Sequence, residues 1–298
     1  MPVDLNEGVI VSMRILGLLV LTATLAFAGR AQAAQSYDNC SGFITALPAI
    51  ISSQGTWCFK QDLSMSATSG VAVTINTSNV TVDCNGYKLG GLAAGAGTAT
   101  YGIYASGRQN ITVRRCNVRG FYAGVDVVGS SGSGHVIEDN QFDGNTTFGI
   151  LVQGTGSIVR HNRVFDTGGG TGSVLDAMGI YVTGSVDVTD NLVFGVTPKP
   201  AGNGNAFGIY TSGLTGSGIL RNGVRATVGD GSGHGYGIYN PDSDRLSIRD
   251  NDLVGNGDAG SIGLYCANDH GRAVDNNVSH YATGISFCAN VSGNNTIP

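Results

Sequence analysis

A short phrase, aromatic-Gly-Ile-Tyr, returns every 21 to 30 residues through the last two-thirds of the chain, and no other feature limits the fold so tightly. It reads Tyr101-Gly102-Ile103-Tyr104, Phe148-Gly149-Ile150, Met178-Gly179-Ile180-Tyr181, Phe207-Gly208-Ile209-Tyr210, Tyr236-Gly237-Ile238-Tyr239 and Ile262-Gly263-Leu264-Tyr265. Degenerate copies stand at Ala123-Gly124-Val125 and Thr283-Gly284-Ile285. Self-similarity at this period marks a solenoid, whose units bury their apolar faces only against their neighbours. The apolar runs are short, rich in Val and Ile and bounded by glycine, so the units are β-coils rather than helix pairs.

The N-terminus has the three parts of a secretory signal: Arg14, an apolar run from Ile15 to Ala28, and the small residues Ala31-Gln32-Ala33. Residues 1–33 are therefore expected to be removed, with Met13 a possible true start. No later segment is long and apolar enough to span a membrane, so the mature protein is expected to be secreted, periplasmic or held at the cell surface. Six cysteines suit an oxidising compartment. Cys40 and Cys58 precede the repeats and are expected to tie a small cap. Cys84 with Cys116, and Cys266 with Cys288, lie about one coil apart, where a strand spacing of about 4.8 Å permits a bridge. Both inter-coil pairs are out of register by one position, so each requires a local bulge. The net charge of −5, with no basic stripe, disfavours nucleic acid as a partner.

Stacking the coils on Gly-Ile gives a column Ile103, Val125, Ile150, Ile180, Ile209, Ile238, Leu264 and Ile285. Two residues earlier stand Tyr101, Ala123, Phe148, Met178, Phe207, Tyr236 and Ile262. Strand alternation puts both columns on one face, which is expected to be the core. A second strand ends at Asn85, Asn140, Asn162, Asn191, Asn222, Asn251 and Asn276, with Cys116 interrupting, a pattern that suits a repeated corner. The residues just before these asparagines mostly alternate in charge up the stack, which supports a ladder of ion pairs.

The opening coil, Asn79-Val80-Thr81-Val82-Asp83-Cys84-Asn85-Gly86-Tyr87-Lys88-Leu89-Gly90-Gly91, together with the later x-Gly-Ile and Asp-Asn phrases, resembles bacterial right-handed parallel β-helix repeat proteins of the pectate-lyase-like superfamily. The resemblance covers roughly residues 55–298. It implies an all-β fold: a single-stranded right-handed parallel β-helix of about nine coils over residues 71–298, behind an N-terminal cap at 34–70. It implies little about function, because the superfamily includes lyases, glycosidases, epimerases, adhesins and proteins of no known activity.

The column after the core Ile carries Tyr181, Tyr210, Tyr239 and Tyr265 on consecutive rungs, with Tyr104, Asp126, Leu151 and Ser286 completing it. Alternation points it outward, where a row of phenols offers apolar faces and hydroxyls to sugar rings. The middle coils are longer, with the extra residues at 166–177, 194–206 and 226–235, just before the Gly-Ile strand, so they are expected to stack into a wall beside the tyrosines. Three readings stay open: polysaccharide binding through the tyrosine stripe, a polysaccharide lyase, and a structural or adhesive solenoid. A lyase needs a carboxylate-neutralising group and a base. Asp166, Asp176 and Asp230, with Asp258, are the candidate Ca²⁺ ligands, and Lys199 or His234 the candidate base. A glycosidase is disfavoured, since Gly233-His234-Gly235 stands without an Asp-Asp pair. There is no phosphate-binding loop, nucleophile elbow or H-E-x-x-H zinc motif.

Overall fold

The computed structural model describes residues 37–213, 216–242, 245–267 and 271–297. The expected signal segment, 1–33, lies outside them. Strands recur in a fixed rota of three, and each pairs in parallel with its counterpart one coil away. One ten-stranded sheet carries the Gly-Ile strands, from Ala99–Ser106 and Ala123–Val128 up to Thr283–Ser286. An eleven-stranded sheet carries the strands that lead into the asparagines, such as Ile111–Arg114 and Ser157–Arg160. The third sheet, again of ten strands, runs through Asn117–Arg119, Arg163–Gly168 and Leu192–Thr197. Nine coils run from Ser69 to Ile297. Ala49–Ile51, Gly55–Phe59 and Leu63–Ser64 already add to the ends of the same three sheets, and Gly42–Ile44 pairs beyond Gly55–Phe59. The cap segment is thus continuous with the solenoid.

The stacking register follows the Gly-Ile phrase rung by rung: Val125 pairs with Ile103 and Ile150, Ile209 with Ile180 and Ile238, and Leu264 with Ile285. The Ile column is fully buried from Ile103 to Leu264. Apart from the buried Ala123 and Phe207, the column two residues earlier is only half-buried, contrary to the alternation argument. Its rings lie on the outside with the tyrosines: Tyr101 is 5.5 Å from Tyr104, Phe207 5.0 Å from Tyr210 and Tyr236 4.7 Å from Tyr239. The second inward column is instead Ala105, Val127, Val152, Val182, Thr211, Asn240 and Cys266, two residues after the Ile.

The glycine explains the inversion. A Cβ on Gly149, Gly179 or Gly208 would lie 2.5, 2.5 or 2.3 Å from Cγ1 of Val164, Val193 or Val224, inward residues of the third sheet. It would also meet the carbonyl oxygen of the next coil's glycine at 2.5 to 2.7 Å. Glycine and isoleucine therefore both face the interior, the chain bends there, and the residue before glycine is turned out.

At the opposite corner the asparagines form a continuous buried ladder. The Nδ2 of Asn140 donates to Oδ1 of Asn162 at 3.0 Å, and the same bond repeats from Asn162 to Asn191, Asn191 to Asn222, Asn222 to Asn251, Asn251 to Asn276 and Asn276 to Asn294. Each Oδ1 also accepts the backbone N–H of the asparagine before it. The residue before Asn140, Asn162, Asn191, Asn222, Asn251 and Asn276 is left-handed, with φ from 54° to 58°, and so is Arg115 before Cys116, at 53°. Asx side chains can satisfy a chain forced through such a corner. Outside the ladder run ion pairs: Arg160 on Glu138 at 2.6 Å, Arg221 on Asp190 at 2.8 Å, and both Arg114 and Arg115 on the buried Asp83. Burial opposes the charge of Asp83, yet hydrogen bonds from Arg115 and the Asn85 N–H, with the fields of both arginines, hold its carboxyl below the usual range.

Bridges join Cys40 to Cys58, Cys84 to Cys116 and Cys266 to Cys288, with Cα separations of 5.8, 4.7 and 4.8 Å. The register offset is absorbed locally in each inter-coil pair. Asp83 pairs with Arg114 but Lys88 with Asn117, so the earlier coil spends two extra residues at a tight turn through left-handed Asn85 and Gly86. On the last coil Phe287, at φ 56°, swings out and lets Cys288 take the inward seat.

Candidate functional site

Because the glycine corner turns one more residue outward, the stripe is two files wide. Tyr104, Tyr181, Tyr210, Tyr239 and Tyr265 form one file, and Tyr101, Phe148, Met178, Phe207, Tyr236 and Ile262 the other. Where the second file falls to Ala123, Tyr122 fills the gap, 5.5 Å from Tyr101 and 5.7 Å from Phe148. The rings continue from Phe148 to Tyr181 at 6.1 Å, then to Tyr210 at 5.0 Å, Tyr239 at 5.3 Å, Tyr265 at 4.9 Å and Phe287 at 5.7 Å. Tyr181, Tyr210, Tyr239 and Tyr265 are each half-buried, so their faces are open to solvent in part. Burial, together with the fields of Tyr181, Tyr239, Asp242 and Asp176, pushes the Tyr210 hydroxyl up to about 12. It is therefore a neutral donor and acceptor throughout the physiological range.

The inserted segments do stack, and they are sewn together. Lys199 N–H donates to Leu175 O at 3.0 Å and Asp230 N–H to Gly204 O at 3.0 Å. Asp176 accepts the Asn205 N–H at 2.7 Å, and Asp230 accepts the Asn203 N–H at 3.1 Å. Lys199 Nζ donates to Gly172 O at 2.8 Å. The residues proposed for catalysis and calcium are thus largely committed to loop structure. Asp166 is not with the others: it is an exposed left-handed corner residue at φ 48° inside the strand Arg163–Gly168. Among the described residues no three acidic, His or Cys side chains gather as a metal site, so the expected calcium cluster of Asp166, Asp176, Asp230 and Asp258 does not form. Asp176 lies near the stripe: burial and the neighbouring tyrosines raise Tyr210, Tyr236 and Tyr239, and the charge of Asp176 adds to the shift. His234 also reaches it, its exposed ring 6.3 Å from Tyr236. A separate concavity of about 280 Å³, lined in part by Asp62, Lys88, Arg119 and Asp143, lies on the third sheet, but its cations are paired, Lys88 with Asp62 and Arg119 with Asp143.

The sequence gives no special weight to Asp126, which reads as a missing rung of the tyrosine file. In the structure it pairs with Tyr104 below and Leu151 above, and it is only 6% exposed. Its Oδ1 is buried without a hydrogen-bond partner. Burial pushes its carboxyl up to about 7. His135, inside the coil, is the converse: burial lowers it to about 4, and its Nε2 has no partner.

The two groups pull stability in opposite directions with pH. Asp126 is raised above its unfolded value of 3.8, so its contribution is complete below pH 3.8 and is lost as pH rises through 7. His135 is depressed below 6.5, so its contribution is complete above that value and is lost as pH falls through 4. D126N should therefore stabilise the protein at pH 8, by about 2 kcal/mol, and not at pH 4. Thermal unfolding of the two proteins at both pH values checks this, and a D126N protein that is less stable at pH 8 would contradict it.

The model of a right-handed β-helix region matches residues 50–224, more than half of the chain. No curated protein matches it in sequence. Similar solved structures include the Dettilon tailspike protein, at 14% identity and a TM-score of 0.45 over 82% of this chain and 60% of that one. DFA-IIIase from Arthrobacter chlorophenolicus A6, in complex with GF2, matches at 11% identity and a TM-score of 0.44, covering 89% and 80%. The catalytic domain of GH87 alpha-1,3-glucanase D1045A in complex with nigerose matches at 13% and 0.40, covering 86% and 60%. The chain spans about three-fifths of the tailspike and glucanase chains. With its family model matched across most of the coils, this chain belongs to the right-handed β-helix family.

Proposed function

We propose that the protein is a secreted polysaccharide-binding solenoid whose two-file aromatic stripe is the glycan face, and that it binds without cleaving. The observation that carries this is the run of partly open rings from Tyr104 to Tyr265 along one outer face. A half-open aromatic strip of this length suits a partner, since stacked phenols match the flat faces and hydroxyls of sugars. The inserted segments at 166–177, 194–206 and 226–235 stack on one another by hydrogen bonds, with His234 beside the ring of Tyr236. Three disulfides fit an oxidising compartment. Among the described residues no helix is long and apolar enough to cross a membrane. A lyase is less well supported, because Lys199, Asp176 and Asp230 are held in loop hydrogen bonds.

The test is Tyr210→Ala. Its ring touches Tyr181, Phe207 and Tyr239. Retention on immobilised polysaccharide should weaken about tenfold while the far-ultraviolet circular dichroism is unchanged. A variant that loses stability yet binds as before would assign the rings to packing alone. Incubation of the wild type with pectate, alginate and xylan, followed by size-exclusion chromatography, should leave polymer length unchanged; shortening of any of them would make it an enzyme.

A further inference from the structure

We propose that Asp126 and the rings around it form a cation subsite, so that the glycan taken by this face is an amino-sugar polymer with free amines rather than a polyuronate. This rests on the stripe being a glycan face and adds the chemical class of its ligand.

Asp126 stands on the outer file of the stripe, yet it is nine-tenths buried with Oδ1 unpartnered. What surrounds it is aromatic and apolar. Tyr104 lies one rung below and Leu151 one rung above, while Tyr101 and Tyr122 both feel its charge. Its carboxyl is perturbed by burial alone, with no cation answering it. A lone carboxyl collared by phenol rings is matched by an ammonium, which brings N–H donors for the oxygen and a charge that the ring faces attract. A neutral hydroxyl would satisfy the oxygen and leave the rings' preference for a cation unused.

The rest of the stripe has the same sign. Asp126 acts on Tyr101 and Tyr122, Asp176 on Tyr210, Tyr236 and Tyr239, and Asp242 on Tyr210 and Tyr239. Asp242 is fixed at the far ends of these strands by Ser212 and the Gly213 N–H, and Asp176 at the near ends by the Asn205 N–H. His234 is the titratable base beside the rings, and it is exposed. A polyuronate would lay a carboxylate on every residue against this row of aspartates. A polyamine glycan meets them as partners.

Binding should be linked to a proton. Near neutrality Asp126 is partly protonated when free, and an ammonium beside it favours the carboxylate, so docking expels the carboxyl proton to buffer and leaves the amine charged. Titration calorimetry of the full chain at pH 6, in two buffers of different ionisation enthalpy, would compare a glucosamine oligosaccharide, its fully N-acetylated counterpart and an oligogalacturonate of equal length. The glucosamine oligomer should bind at least about tenfold more tightly than the N-acetylated one, with net proton release, and the galacturonate oligomer most weakly. D126N should abolish the preference and the proton release. Equal binding of the amine and the N-acetylated forms, tightest binding of galacturonate, or a preference that survives D126N would each overturn the cation subsite but leave the glycan face standing. If none of the three binds, the glycan face falls with it.

Discussion

Asn191→Ala should lower the unfolding free energy by about 4 kcal/mol. Asn191 is 3% exposed and makes five hydrogen bonds to four neighbours at once. Its Nδ2 donates to Val159 O at 2.9 Å, to Thr189 O at 3.0 Å and to Asn222 Oδ1 at 3.0 Å. Its Oδ1 accepts both the N–H and the Nδ2 of Asn162, each at 3.0 Å. Truncation leaves these buried groups without partners, and an orphaned buried polar group costs about 1–3 kcal/mol. Coils in a solenoid are held only by their neighbours, so the break should also open the stack locally. Amide exchange at Asn162 should quicken far more than at Val125, two coils away. A urea midpoint shift worth under about 1 kcal/mol would show that the ladder is incidental to stability.

Gly208→Ala is expected to cost about 3 kcal/mol, at the high end for an overpacked site. The added methyl would lie 2.3 Å from Val224 Cγ1 and 2.6 Å from Gly237 O. The valine can be trimmed but the carbonyl cannot move without disturbing the rung above. The double variant Gly208→Ala, Val224→Ala should therefore recover only part of the loss. Gly172→Ala is the control: nothing lies within 4 Å of its Cβ position, so its unfolding midpoint should stay at the wild-type value. Equal midpoints for the Gly172 and Gly208 variants would remove the steric explanation for the repeat's glycine.

That glycine separates what could be read from the chain and what could not. The Gly-Ile phrase was enough to set the stacking register, because an apolar column that recurs once per coil has one way to be buried continuously. The asparagine corner and its alternating charges were legible for the same reason: like positions stack, and Arg221 meets Asp190 one rung away. The aromatic column misled, since strict alternation assigns Tyr101 and Ile103 to one face. Only the packing shows that Val118, Val164, Val193 and Val224 fill the space beside the glycines and force two consecutive residues inward.

The calcium cluster failed for a related reason. Asp166, Asp176 and Asp230 lie in matching insertions, but sequence spacing does not tell a corner residue from one pinned to a neighbouring loop. In the sequence Asp126 is an imperfect tyrosine rung, and nothing local marks it as buried. Its environment is assembled by Tyr122 from the preceding turn, by the rings of the coil below and by Leu151 of the coil above. By itself the sequence determined the coil, its register and its two ladders, because periodicity alone dictates which residues must stack. Which residues face outward, and which carboxyl is stranded among the rings, depended on volumes and charges contributed by other coils, and only the tertiary structure decided them.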